Sequence, residues 1–295
     1  MNKKIFVILA ALLSSLIGPI VKLLITDMHP LSITFFRIFI GFLTLAIILP
    51  FLDKNTFKLK LKDIPTYILI GILFAITLGT FVTALNHAPV SNVVLIASFA
   101  VISTAIFAYI FLKETLKLNQ KIAIVIAIIG LAIINPFNFN SIHYIGNLLA
   151  LGSALAYSLL IVFMRTEEKT HSPGFLIWIF FFSTLALTPF IARYGVGQNF
   201  MSNLLLILTL GVFSTAIPFL LVAYAIKKLH ADTVSIINLL VIPLASILLA
   251  AIIIDEIPTL RVTIGGLILI LAGTILHYFR KKYLKRIREQ LHIPL

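Results

Sequence analysis

The sequence predicts an all-α polytopic membrane protein, with ten transmembrane helices arranged as two inverted five-helix repeats. Hydrophobic residues make up 61% of the 295 residues and charged residues only 11%, which leaves too little polar surface for a soluble globular domain. The apolar residues gather in ten stretches, each near the roughly 20 residues that cross a bilayer as a helix. The acidic turn that follows the fourth stretch, at Glu114, recurs at Glu256 after the ninth.

Each of the ten stretches is predicted to be a helix because backbone groups in lipid must find hydrogen-bond partners within their own segment. The first stretch follows Lys3 and Lys4, as a signal peptide would. It is too long for a signal peptide and lacks a clear small-residue cleavage site, so we interpret it as a retained helix. The predicted spans are residues 5–25, 31–52, 64–85, 90–112, 118–137, 145–164, 175–192, 204–226, 233–254 and 260–279.

The recurrence divides the chain into a first five-helix repeat at residues 1–140, a second at residues 141–280 and a basic tail at residues 281–295. Because each repeat has an odd number of spans, the second must enter the bilayer upside down relative to the first. Inverted repeats of this kind build two gates around one central site, which is the geometry that alternating access needs.

Lysine and arginine predict the orientation. Nineteen of the 23 fall in segments that face one side, only Arg193 and Arg261 face the other, and Lys22 and Arg37 lie within helices. The positive-inside rule therefore places both termini in the cytoplasm of a multi-pass plasma-membrane protein. The net charge of +13 is dispersed over these loops, so it does not indicate a nucleic-acid partner. A basic stretch at residues 280–288, where the tail begins, carries six cations, which predicts an anchor at an anionic lipid leaflet or a docking site for a protein.

The junctions before the fourth and ninth spans are also alike. His87-Ala88-Pro89 leads into one span as His230-Ala231-Asp232 leads into the other, and Gly130 and Gly273 lie late in the spans that follow. With these features the chain resembles the EamA-type transporters of the drug/metabolite transporter superfamily over residues 5–279. Further positions that match this family are Lys22, Arg37, Ala84-Leu85, Gly211, Tyr224-Ala225, Pro243 and Gly265. Departures are Ser14-Ser15, where the family often has Trp-Gly, and Val101 in place of a proline.

This resemblance implies a monomeric secondary transporter that exports a small organic metabolite, such as an amino acid, a nucleoside or a drug-like solute. The alternatives are a passive channel or facilitator and, in another class, a membrane enzyme or lipid-handling protein. No span contains Asp or Glu, the chain has no cysteine, and no nucleophile, phosphate-binding or metal motif is present. We therefore expect neither catalysis nor a cofactor or metal.

Polar residues within spans are the candidate binding residues because they avoid lipid. Lys22 shares a helix face with Ser15 and Pro19, and it either points into a central cavity or extends to the membrane surface. Arg37 must have a partner, for which we expect loop carbonyls or Asp27 rather than the substrate. Asn238, five residues before Pro243, either binds backbone carbonyls freed by that proline or contacts the solute.

Two stripes of small or aromatic residues are further candidates for the cavity lining, although such residues also serve helix packing. Tyr157 and Tyr224 could stack on a planar solute or lie in an interfacial aromatic belt. Glu114 and Glu256, on opposite faces, are each expected to cap the N-terminus of the helix that follows them. The stripes are Thr77, Thr80 and Phe81, with Ala84, in the third span, and Ser91 and Ser98, with Leu95, in the fourth.

Overall fold

The protein is built from helices, and a computed structural model describes residues 3–52, 57, 59, 61–134, 142–166, 174–226 and 231–290. Within these residues no strand is present. The α-helices are α1 (Lys3–Ser15), α2 (Ile17–Leu24), α3 (Pro30–Leu52), α4 (Ile64–His87), α5 (Val90–Ala97), α6 (Ala100–Phe111), α7 (Leu118–Ile134), α8 (Tyr144–Thr166), α9 (Gly174–Tyr194), α10 (Leu204–Leu208), α11 (Ile217–Ile226), α12 (Ala231–Ile254) and α13 (Leu260–Gln290).

The helices confirm an all-α polytopic membrane protein. Nine helical segments of the described chain are long and apolar enough to span a bilayer, and α7 is a tenth apolar helix of 17 residues. The predicted end of the fifth span at residue 137 lies outside the described residues. The basic stretch continues the last apolar helix, because α13 runs to Gln290. The side chains of that stretch lie outside what the structure describes.

Three of the spans are not regular α-helices throughout. The first breaks at Leu16 between α1 and α2, and the fourth breaks at Ser98 and Phe99 between α5 and α6. The eighth contains a π-helix at Thr209–Ala216, between α10 and α11. Pro218 lies two residues after the end of the π-helix; it has no amide hydrogen, and its ring crowds the carbonyl four residues earlier. Within the π-helix, the hydroxyl of Thr215 donates to the carbonyl of Leu210 at 2.8 Å. Such irregular backbone in membranes is tolerated where it is buried in protein or lines a cavity.

The two acidic turns have the same backbone conformation. Lys113 and Asp255 adopt positive φ angles of 55° and 54°, which reverse the chain at the ends of α6 and α12. The following amide of Glu114 donates to the Ala108 carbonyl at 3.3 Å, and that of Glu256 donates to the Ala250 carbonyl at 3.2 Å. The likeness seen between the two sequence stretches is therefore a likeness of local structure.

The closing helices of the two halves, α7 and α13, pack at very short range. A Cβ atom on Gly130 would stand 2.9 Å from the Gly265 carbonyl oxygen, and one on Gly265 would stand 2.8 Å from the Gly130 carbonyl oxygen. Arg261 near the start of α13 donates from Nε to the Ile133 carbonyl at 2.9 Å, which satisfies a free carbonyl at the end of α7. The halves are therefore joined along this pair of helices.

Candidate functional site

A cavity of about 330 Å³ lies among helices from both halves of the chain. Helices α1 to α6 contribute from the first half, while α8, the π-helix, α11 and α12 contribute from the second. Its volume is at the lower end of the roughly 300–1,000 Å³ typical of small-molecule sites. The two helix breaks and the π-helix all border it or lie one residue from its lining. The polar lining residues are Ser14, Arg37, Thr77, Ser98, Ser153, Tyr157, Ser214, Ser235, Asn238 and Ser246.

The charged groups of the lining are of one sign. Arg37 is its single cation, and none of the described lining residues is an aspartate, a glutamate or a histidine. Most of the remaining wall is aliphatic or aromatic, with Phe81, Tyr157 and Phe219 contributing rings. The cavity therefore combines an apolar wall with one fixed positive charge.

Arg37 is almost completely buried, with 3% of its surface exposed. Its Nε donates to the hydroxyl of Thr215 in the π-helix at 2.7 Å. α3 reaches this helix because Gly211 has no side chain, since a Cβ there would meet Ile40 at 2.6 Å. Among the described residues, Nη1 of Arg37 has no hydrogen-bond partner. The guanidinium thus retains an unused donor at the edge of the cavity.

The predicted tie between Arg37 and Asp27 is wrong. The carboxylate of Asp27 accepts hydrogen bonds from the side-chain amides of Asn203 at 2.7 Å and Asn199 at 3.3 Å. Asp27 lies before α3 begins, whereas Arg37 is two turns inside that helix and points towards the π-helix. The arginine also binds a hydroxyl group rather than a loop carbonyl.

Two more polar atoms of the lining are buried without a hydrogen-bond partner in the described part of the chain. They are Oδ1 of Asn238 in α12 and Oγ of Ser214 in the π-helix. Buried polar side chains are usually hydrogen-bonded, so three such atoms around one cavity are unusual. The unused groups of Arg37, Asn238 and Ser214 are those that a bound molecule could satisfy.

The structure brings five of the predicted binding residues to this cavity: Thr77, Phe81, Ser98, Tyr157 and Asn238. Pro243, predicted to be structural, also lines it. The hydroxyl of Thr77 donates to the Leu73 carbonyl and that of Ser98 to the Val94 carbonyl, each four residues earlier in the same span. These hydroxyl groups therefore keep acceptor capacity on their oxygen atoms.

The other predicted binding residues lie outside the cavity lining. Ser15 is buried and donates to the Leu12 carbonyl, and Thr80 donates to the Ile76 carbonyl. Tyr224 is 52% exposed and packs edge-on against Phe6. Ser91 lies at the start of α5, and Lys22 is half-buried in α2. Pro19 is buried in α2, three residues beyond the break at Leu16.

Glu256 caps a helix of the opposite half rather than the helix that follows it, which corrects the prediction. Its carboxylate accepts from the backbone amides of Val90 at 2.9 Å and Ser91 at 3.0 Å, and from the Ser91 hydroxyl at 3.3 Å. These are the free amides at the N-terminus of α5, where a negative charge is favourable. That Glu114 acts as a cap remains a prediction.

The position of Lys22 gives a testable result. We expect Lys22→Gln to transport at close to the parent rate, because the lysine does not line the cavity. The measurement is solute flux into proteoliposomes at equal protein content, with Lys22→Arg as the charge-preserving control. A loss of flux in Lys22→Gln at unchanged thermal stability would instead show that Lys22 acts on the solute.

Sequence reasoning missed the polar residues of α8 and the π-helix. Ser153 donates to the Thr77 carbonyl at 2.8 Å, and Ser214 lies within the π-helix. The available signal was Pro218, because a proline inside a span frees backbone groups one turn earlier. Which side chains that irregularity turns towards the cavity depends on the packing of distant helices.

Comparison with known proteins agrees with this architecture. The sequence profile of the EamA-like transporter family matches residues 2–135 and again residues 144–279. An uncharacterized transporter of Clostridium kluyveri is 29% identical over 80% of each chain. An S-adenosylmethionine uptake transporter of Rickettsia bellii is 25% identical over 90% of this chain and 89% of that protein. A protein of known crystal structure superposes with a TM-score of 0.66 over 93% of this chain and 96% of its own, and at 15% identity it shares the fold.

Proposed function

Because the chain belongs to the EamA-like transporter family, we propose that it is a secondary transporter that moves a small organic solute across the plasma membrane by alternating access. The proposed direction is export, and the proposed orientation has both termini in the cytoplasm. The solute is a metabolite or drug-like compound, a class to which the S-adenosylmethionine named for the Rickettsia bellii relative belongs. We further propose that residues 1–140 and 141–280 are the two moving repeats, and that the protein acts as a monomer.

One observation supports this proposal above the others. The cavity is lined by helices of both halves, and the breaks in two spans and the π-helix lie beside it. Transporters built from inverted repeats bind their solutes at the interface between the repeats, at discontinuous helices. Rocking of one half against the other would then expose the cavity to each side of the membrane in turn.

The test is counterflow in proteoliposomes that contain the purified protein. Uptake of labelled amino acids, nucleosides and cationic dyes is measured with and without unlabelled solute inside. A carrier is accelerated by solute on the opposite side, whereas a passive channel, the second candidate, is not. A folded protein that moves no member of a broad panel of solutes would contradict the proposal. Hydrolysis of a supplied solute would also contradict it, because that would indicate a membrane enzyme.

The absence of carboxylates in the spans predicts the energy coupling. Proton and sodium relays in membrane proteins are usually built from Asp, Glu and His. None of the predicted spans contains Asp or Glu, and His277 in the tenth is their single histidine. We therefore expect solute flux to continue when proton and sodium gradients are collapsed by ionophores. Strict dependence of the flux on an imposed pH gradient would contradict this and would point to a histidine, such as His87, as the proton carrier.

A further inference from the structure

We propose that Arg37 anchors a carboxylate of the transported solute, which is a small organic acid with a single anionic group and an apolar body. This inference rests on the proposed transport function and adds the chemical class of the solute. The residues that carry it are Arg37, Asn238 and Ser214, which all line the same cavity.

The first argument is the unbalanced charge of Arg37. A charged group inside a membrane protein is costly unless it is paired or faces water. Its Nε is satisfied by Thr215, but Nη1 is buried and has no partner among the described residues. No described lining residue carries a negative charge, and the nearest candidate along the sequence, Asp27, is engaged by two asparagines. The counter-charge is therefore best supplied by the molecule that enters the cavity.

The second argument is the geometry of the guanidinium group. A planar guanidinium matches a carboxylate because two parallel N–H donors meet two oxygen atoms. Binding of Nε to Thr215 fixes the plane of this group, and Thr215 is itself held by its bond to the Leu210 carbonyl. The donor is thus held in place before the solute arrives, which reduces the entropy lost on binding.

The rest of the cavity limits the solute further. There is one cation in the described lining, so a polyanion such as a nucleoside triphosphate would leave most of its charge unpaired. The rings of Phe81, Tyr157 and Phe219 favour an apolar or planar body. Oδ1 of Asn238 is an acceptor without a donor in the described chain, so a solute with an ammonium, amide or hydroxyl group would satisfy it.

The decisive comparison uses matched acids and amides with the parent protein. Proteoliposomes are tested for uptake of phenylacetate against phenylacetamide, and of phenylalanine against phenylalaninamide. Charge-assisted hydrogen bonds of this kind correspond to preferences of roughly tenfold or more, so we expect each acid to move at least about tenfold faster than its amide. Amides that move as fast as the acids would overturn the inference.

Substitutions then assign the preference to Arg37. We expect Arg37→Gln to abolish the acid preference and Arg37→Lys, which keeps the charge, to retain part of it. Two control variants should keep it fully. Arg193→Gln removes an exposed arginine outside the cavity, and Trp178→Phe removes a buried indole N–H that lacks a described partner but does not line the cavity.

The outcomes separate this inference from the proposed function. Flux of neutral or cationic solutes without any flux of carboxylates would support the proposed transport function and overturn the proposed role of Arg37. An Arg37→Gln protein that folds, as judged by size-exclusion chromatography, and still prefers acids would also overturn it. If that variant does not fold, the acid and amide rates of the parent and of Arg37→Lys decide the question. No flux of any solute would reject both proposals.

Discussion

Replacement of Glu256 by alanine is expected to open the cavity towards the face of the protein at which Glu256 lies. A reagent added on that side should then react with a thiol in the cavity about tenfold faster or more. The carboxylate joins the two halves at this face, since Glu256 follows α12 and its hydrogen bonds go to the first amides of α5. Hydrogen bonds to charged groups contribute about 1.5–3 kcal/mol each, and about 1.4 kcal/mol is a tenfold change in an equilibrium. In the proposed alternating-access cycle, opening of this face breaks these hydrogen bonds, so their loss favours the open state.

The chain is well suited to the measurement because it contains no cysteine. Ser98→Cys places one thiol at the helix break that borders the cavity. Its rate of reaction with a membrane-impermeant thiol reagent is measured with the reagent on each side of the membrane in turn. Glu256→Ala should accelerate the reaction from one side, which the orientation predicted by the lysine and arginine residues makes the outer side.

Two further substitutions separate the effect of the charge from that of the hydrogen bonds. Asp255→Asn removes the same charge one residue away, from an exposed side chain whose positive φ angle asparagine tolerates, and should leave the rate unchanged. Glu256→Gln keeps an oxygen acceptor but loses the charge, so it should fall between the parent and the alanine variant. An equal rate in the parent and in Glu256→Ala would show that this cap does not hold the face closed.

For both Glu256 and Arg37, the sequence predicts that the side chain needs a partner but does not predict which partner it has. That Glu256 should cap a helix N-terminus follows from local chemistry, and it does so. Which helix it caps could not be predicted, because Val90 lies 166 residues away and the contact depends on the packing of the two halves. Arg37 was likewise expected to need a partner, and its partner Thr215 lies 178 residues away, on a span in which Pro218 indicates an irregular backbone but not which side chain meets the arginine.

The ten spans themselves could be predicted because their signal is local and accumulates over roughly 20 residues. The direction in which a single side chain points is not supported by a signal that accumulates over many residues in this way. Lys22 and Ser15 share a face on a regular helix, but the break at Leu16 separates them into α1 and α2. A rotation of one residue changes a side-chain direction by 100°, so residues such as Thr80 and Ser91 could not be assigned to the cavity or excluded from it by spacing alone.

The packing of α7 against α13 gives the second large expected effect. Gly130→Ala should destabilise the protein by about 1–3 kcal/mol, because overpacking forces backbone to move. The added methyl group would stand 2.9 Å from the Gly265 carbonyl oxygen and 3.1 Å from the Leu269 amide nitrogen, and neither is a side chain that can rotate away. At about 2–4 °C per kcal/mol, the unfolding midpoint in detergent should fall by several degrees.

Gly152→Ala is the matched control for this prediction, since it makes the same change within α8. No atom stands within 4 Å of a Cβ placed there, so the substitution meets open space. Alanine also favours a helix by about 1 kcal/mol over glycine, so Gly152→Ala should leave the midpoint unchanged or raise it. A Gly130→Ala protein as stable as the parent would show that α7 and α13 separate without cost. The close contact of the two glycines would then not be what joins the halves.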